Sequence, residues 1–132
     1  MLQEPSVETT LIRYLSRNLR YPEKARANKL EDVVYFSVDV EERTRGDLYQ
    51  LFAEKFQLYD QAPSNARINY LQLAGYAAKT EQPAPVTESE KQNLLKQEVK
   101  QILERKIVIT GSNRIIPGRY YFGVRFAMQK EG

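Results

Sequence analysis

Neither cysteine nor histidine occurs anywhere in the 132 residues. Without Cys there is no disulfide framework and no thiolate metal site. Without His the commonest general base and transition-metal ligand is missing. An enzyme built on this sequence would have to work through carboxylates, Lys, Tyr or Ser alone. A glycine-rich phosphate loop, a Gly-x-Ser-x-Gly elbow and a calcium loop are also missing. No apolar run approaches the roughly 20 residues that span a bilayer. The opening Met1-Leu2-Gln3-Glu4-Pro5 lacks the charged and apolar regions of a signal peptide. Together these absences predict a domain that binds rather than catalyses, with no cofactor and no metal.

What is present suits one globular domain, 1–132, large enough to be stable without staples. Apolar residues make up 42% and charged residues 28%, ordinary values for such a domain. The net charge of +3 is unevenly placed. Residues 1–30 hold six basic side chains (Arg13, Arg17, Arg20, Lys24, Arg26, Lys29) against Glu4, Glu8 and Glu23, and the rest of the chain balances. One basic surface follows from this, not a nucleic-acid-binding protein overall.

Hydrophobic spacing predicts a helix over 6–20, with Val7, Leu11, Tyr14, Leu15 and Leu19 on one face and Ser6 as N-cap. Pro22 ends it and opens a short turn of helix from Glu23 to Asn28. Residues 33–40 alternate as a strand, with Val34, Phe36, Val38 and Val40 on one side. Glu41 to Asp47, containing Gly46, reads as a hairpin loop. Residues 48–58 fit helix or strand spacing and are assigned as a strand paired back onto 33–40, with Leu48, Phe52, Phe56 and Leu58 on one face. Residues 59–86 are an irregular insert or extra strand: Pro63-Ser64-Asn65 marks a turn, 68–77 is a strand candidate, and Pro83 and Pro85 stiffen the exit. A helix is expected over 87–106, capped by Thr87 and Glu90 and buried through Leu95, Val99, Ile102 and Leu103, with Arg105 and Lys106 in its last turn. After a Gly111-Ser112-Asn113 turn, 119–129 alternates as a final strand: Tyr120, Phe122, Val124, Phe126 and Met128 inward, Tyr121, Gly123, Arg125, Ala127 and Gln129 outward. The economical fold is α+β, with two helices packed on one face of a small antiparallel sheet.

Leu11-Ile12-Arg13-Tyr14-Leu15, then Asn18-Leu19-Arg20-Tyr21-Pro22-Glu23-Lys24-Ala25-Arg26, then Val33-Val34-Tyr35-Phe36-Ser37-Val38-Asp39 resembles the opening of the TonB C-terminal domain family. Glu98-Val99 and Gly123-Val124-Arg125-Phe126 resemble its closing helix and strand. This chain has Ile107-Val108-Ile109 where that family carries a Trp and a Pro-Gly pair. The resemblance implies a periplasmic module, tethered to the inner membrane only through an N-terminal segment outside this chain. It also implies energy transduction for transport, by gripping a peptide segment of an outer-membrane TonB-dependent receptor as an added strand. The matching edge is the last strand, and the partner-binding residues so implied are Tyr21, Pro22, Tyr120, Tyr121, Gly123, Arg125 and Ala127. The runner-up is a self-association domain, a homodimer using the same edge.

Blander readings stand beside these. Tyr21 packs over the helix end while Pro22 sets the chain direction. Arg13, Arg17 and Arg20 meet an acidic rim or anionic lipid, or form a solvated helix face. Tyr120, Tyr121, Phe122 and Tyr35 suggest a base-stacking sheet, but alternation puts Tyr120 and Phe122 in the core and the basic charge lies elsewhere, so no nucleic acid is expected. Asp39, Glu41 and Glu42 are read as hairpin-loop polarity rather than a metal or acid–base cluster.

Overall fold

The computed structural model of the protein describes residues 6–45, 48–76, 85–105, 107–110 and 117–129. In chain order these form α1 (Val7–Asn18), α2 (Glu23–Ala27), β1 (Asp32–Arg45), β2 (Leu48–Tyr59), β3 (Ile68–Tyr76), α3 (Glu88–Leu103), β4 (Ile107–Thr110) and β5 (Gly118–Gln129). The α+β class read from the sequence holds.

The helix signals act as expected. The Ser6 hydroxyl accepts from the Thr9 N–H at 3.2 Å, and Val7, Leu11, Leu15 and Leu19 are buried. The Thr87 hydroxyl accepts from the Glu90 N–H at 3.1 Å, satisfying one of the donors that a helix start leaves unpaired. Leu95, Val99, Ile102 and Leu103 are the buried stripe of α3. That helix stops at Leu103 rather than 106, so its last-turn cation is Lys100; Lys106 lies outside the described residues. A 2.5 Å ion pair from Lys24 to Glu90 ties α2 to the start of α3.

The sheet departs from expectation in three ways. Its order is β3-β5-β1-β2-β4, and β3 runs parallel to β5 while every other pair is antiparallel. It is therefore mixed, not antiparallel. A parallel neighbour needs a long crossover, and α3 with β4 supplies it between Tyr76 and Gly118. Second, Glu41 to Arg45 continue β1 instead of forming a loop; Glu41 meets Lys55 at 3.2 Å and Arg43 meets Glu54 at 2.9 Å. These cross-strand charges hold a polar sequence in strand form. Gly46 and Asp47, like the 111–113 turn, fall outside the described residues. Third, Ile107–Thr110, to which hydrophobic spacing assigns no element, is a short strand on β2.

Residues 48–58 are a strand, as assigned, but not with one apolar face. Asp39 pairs with Lys55 and Val40 with Ala53, so Glu54 is an extra residue on β2. Such a bulge reverses the alternation. Phe56 and Leu58 pack against the core, whereas Phe52 lies under the Arg43 guanidinium, 4.4 Å from ring centre to charge.

One core joins the helices to the sheet. Val34, Phe36, Val38 and Val40 of β1, Phe122, Val124 and Phe126 of β5, and Leu71 of β3 are buried with the stripes of α1 and α3. Phe36 and Phe122 stack with centroids 5.4 Å apart and planes 18° from parallel.

Candidate functional site

The seven residues named from the resemblance separate onto two sides of the sheet. Tyr21 is built into the interior on the helix side. Its ring meets Phe126 edge-on at 5.4 Å, and its hydroxyl donates to the Leu30 carbonyl. That carbonyl is placed by the end of α2, where Lys29 turns left-handed (φ 54) and the Leu30 N–H reaches the Ala25 carbonyl at 2.9 Å. Pro22 lines a shallow groove with Leu94, Glu98 and Gln101 of α3. Tyr120 also faces the helices; burial first, then the Glu8 carboxylate, raises its hydroxyl pKa.

Burial, followed by the Glu31 carboxylate, pushes the Tyr21 hydroxyl from its ordinary 10.0 up to about 12. A folded-state value above the unfolded one contributes stability in full below pH 10 and loses it as pH rises toward about 12. Tyr21→Phe removes that dependence. Its denaturation midpoint should fall less steeply than the parent's across that window, and parallel alkaline limbs would show that the hydroxyl is not buried.

Tyr121, Gly123, Arg125 and Ala127 occupy the other side of β5, the open face away from the helices. The structure gathers there what the sequence scatters. One row crosses four strands: Tyr70 of β3 beside Gly123 of β5, Gly123 beside Tyr35 of β1, and Tyr35 beside Tyr59 of β2. Tyr35 and Tyr70 meet edge-on at 6.3 Å, and a Cβ on Gly123 would come within 2.8 Å of the Tyr70 ring and 3.2 Å of Tyr35. The glycine is there because the rings lean over it. Hydrogen bonding to Tyr70, first, and burial, second, raise the Tyr35 hydroxyl pKa. In the next row Tyr121 lies 6.1 Å from Tyr59, whose hydroxyl meets the Ser37 hydroxyl at 2.9 Å. Ser37 is only 2% exposed although it points away from the helices, so the tyrosines form a second, thin layer that excludes water.

Charge on this face is mostly neutralised. Arg119 grips Asp39 at 2.7 and 3.3 Å; the Asp39 contact, then Tyr121, raises its pKa. Arg125 is exposed and pairs with no carboxylate among the described residues. It borders a cleft of about 470 Å³ with Val33, Tyr70, Leu71 and Gln72. Among the described residues no group of three acidic side chains could hold a metal, and no helix is long and apolar enough to cross a membrane.

The expected binding edge is the main correction. β5 is an interior strand: β1 pairs with its residues 118–126 and β3 with 121–129. Its backbone groups over that central stretch are taken from both sides, so no added strand can bond there. The extra strand that closes the edge comes from the 59–86 stretch. β3 is thus the outer strand on that side, and no described residue pairs with its far edge. Tyr70 and Tyr76 stand 57% and 54% exposed on it. Sequence reasoning missed Tyr59, Tyr70, Gln72 and Tyr76. The available signal was the alternation of Tyr70, Gln72, Ala74 and Tyr76 in a stretch without a single charge.

The basic helix face is divided. Arg20 turns its guanidinium back onto the Arg17 and Leu19 carbonyls at 2.8 and 3.1 Å, closing the end of α1, while Arg13 and Arg17 are exposed. No family model matches the chain, and comparison with curated proteins and with solved structures finds no match either.

Proposed function

We propose that this protein is a protein-binding module that takes an extended partner segment along the outer edge of β3. One observation carries the reading: among the described residues a nine-residue strand, Ile68–Tyr76, ends the sheet with neither a charge nor a proline along it. Edge strands normally carry such guards against pairing with other chains. An unguarded edge offers backbone N–H and C=O groups in register, with alternate side chains left to select the partner. The opposite edge, β4, has four residues, too few for a lasting ladder.

The partner class comes from the sequence resemblance. Tyr21-Pro22 and the Val33–Asp39 stretch nominate a periplasmic role and a receptor segment of an outer-membrane transporter, with a TonB-like transducer as the parent protein. In this reading β3 replaces the last strand as the gripping edge. Self-pairing of the same edge is the runner-up, favoured by the same lack of guards.

Solution mass and amide NMR separate the two. Adaptor function predicts a monomer whose amides shift along residues 68–76 when a cognate periplasmic receptor segment is added. A concentration-dependent dimer with changes at 68–76 and no peptide would replace it with self-association. Shifts confined to Arg13 and Arg17 would move the site to the basic helix and defeat both.

A further inference from the structure

Among the described residues the surface is hollowed between Pro22 and α3, at the polar start of β3, and on the open face at Arg125. The first sets Glu98, Glu104 and Lys100 beside Pro22 and Leu94, so its charges are of mixed sign and select no single partner chemistry. The second contains Arg67 but also Glu8, and its Arg119 is already bound to Asp39. The third joins an apolar wall to a cation with no carboxylate partner among the described residues, next to the edge that the proposed function uses.

We infer that the strand received by β3 carries a glutamate on its open-face side opposite Gln72, and that Arg125 binds its carboxylate across the cleft. This rests on the strand-addition reading. The geometry follows from register. Gln72 of β3 lies beside Arg125 of β5, which lies beside Val33 of β1. Neighbouring strands are about 4.8 Å apart, so a strand added outside β3 runs roughly 10 Å from β5. An arginine and a glutamate reaching toward each other over Gln72 cover that span, and a shorter acidic side chain does so less well.

Charge selects the same partner. The open-face arginines that have a carboxylate nearby are satisfied, Arg119 by Asp39 and Arg43 by Glu54. Arg125, directly beside Gln72 of β3, forms no ion pair with a carboxylate among the described residues. β3 itself contributes no charge. Arg125 sets one positive charge beside the middle of this edge, which attracts an acidic side chain there and repels a basic one. Val33 and the Tyr70 ring wall the cleft, giving the glutamate's methylenes an apolar seat while its carboxylate faces the fork of donors. Second copies of this chain make poorer occupants, because their own β3 lacks any acidic residue to offer.

The test uses the intact chain and a library of random nine-residue peptides, the length of β3, selected for binding and then checked for amide shifts at 68–76. Selected peptides should carry Glu at one alternate position. Changing it to Gln should weaken binding about fivefold at low salt, the scale of a partly exposed ion pair, and less at high salt. Arg125→Gln should erase that difference, and Arg125→Glu should prefer Lys there. Thermal melts of both variants control for folding. Peptides that shift 68–76 without an acidic preference, or that keep it in Arg125→Gln, overturn this inference and leave strand addition intact. If no selected peptide shifts 68–76, strand addition itself fails and this inference with it.

Discussion

Truncating Phe36 to alanine should lower the unfolding free energy by about 3–5 kcal/mol, and Phe126→Ala should cost a similar amount. Both rings are fully enclosed, at 0% and 1% exposure. Phe36 lies on β1, which pairs on both sides with β2 and β5, and its ring stacks on Phe122. Removing it strips one side of that stack and leaves a void that a sheet bonded on both flanks cannot close. Phe126 loses its edge-on partner Tyr21 as well as its core contacts. Urea melts with the slope held in common measure both. Midpoints within error of the parent would place these rings outside the core.

Gly75→Ala is the second large effect, about 2–3 kcal/mol, in the range for overpacking a filled interior. A Cβ there would sit 2.6 Å from one Tyr21 ring carbon, 2.7 Å from another and 3.0 Å from the Met128 sulfur. The Tyr21 ring cannot swing aside cheaply, since its hydroxyl is held by Leu30 and its edge by Phe126. The decisive measurement is a double-mutant cycle. In a Tyr21→Ala background only the flexible Met128 side chain still crowds the methyl, so its cost should fall below about 1 kcal/mol and the two changes should be strongly non-additive. Additive effects would mean that Tyr21 does not press on β3. The cycle also bears on function, because a tyrosine locked between β3 and β5 is a structural pin and unavailable to a partner.

Much of this fold was legible because its signals are local. Ser6 and Thr87 cap the helices that they precede, and the apolar stripes of α1 and α3 are the ones that spacing marks out. Val34, Phe36, Phe122, Val124 and Phe126 alternate into the core as two-residue periodicity requires. Backbone geometry decides such features over a few neighbouring residues, whatever the rest of the chain does.

Three features depended on long-range pairing. The bulge at Glu54 turned Phe52 away from Phe56 and Leu58, and only the register of β2 against β1 shows it. The charged run Glu41 to Arg45 became strand because Leu48 to Phe52 pair across from it and Glu54 and Lys55 beside them ion-pair with Arg43 and Glu41, a fact about a partner strand rather than about the run. Most consequential was the place of β3. Nothing within Ile68–Tyr76 says that it lies parallel to β5 on the side away from β1, since alternation reports which side chains face inward but not which neighbour a strand takes. The sequence alone therefore settled the α+β class, the caps and the core faces of α1, α3, β1 and β5. Tertiary pairing settled which edge stays open, because an edge is defined by the neighbour that is missing.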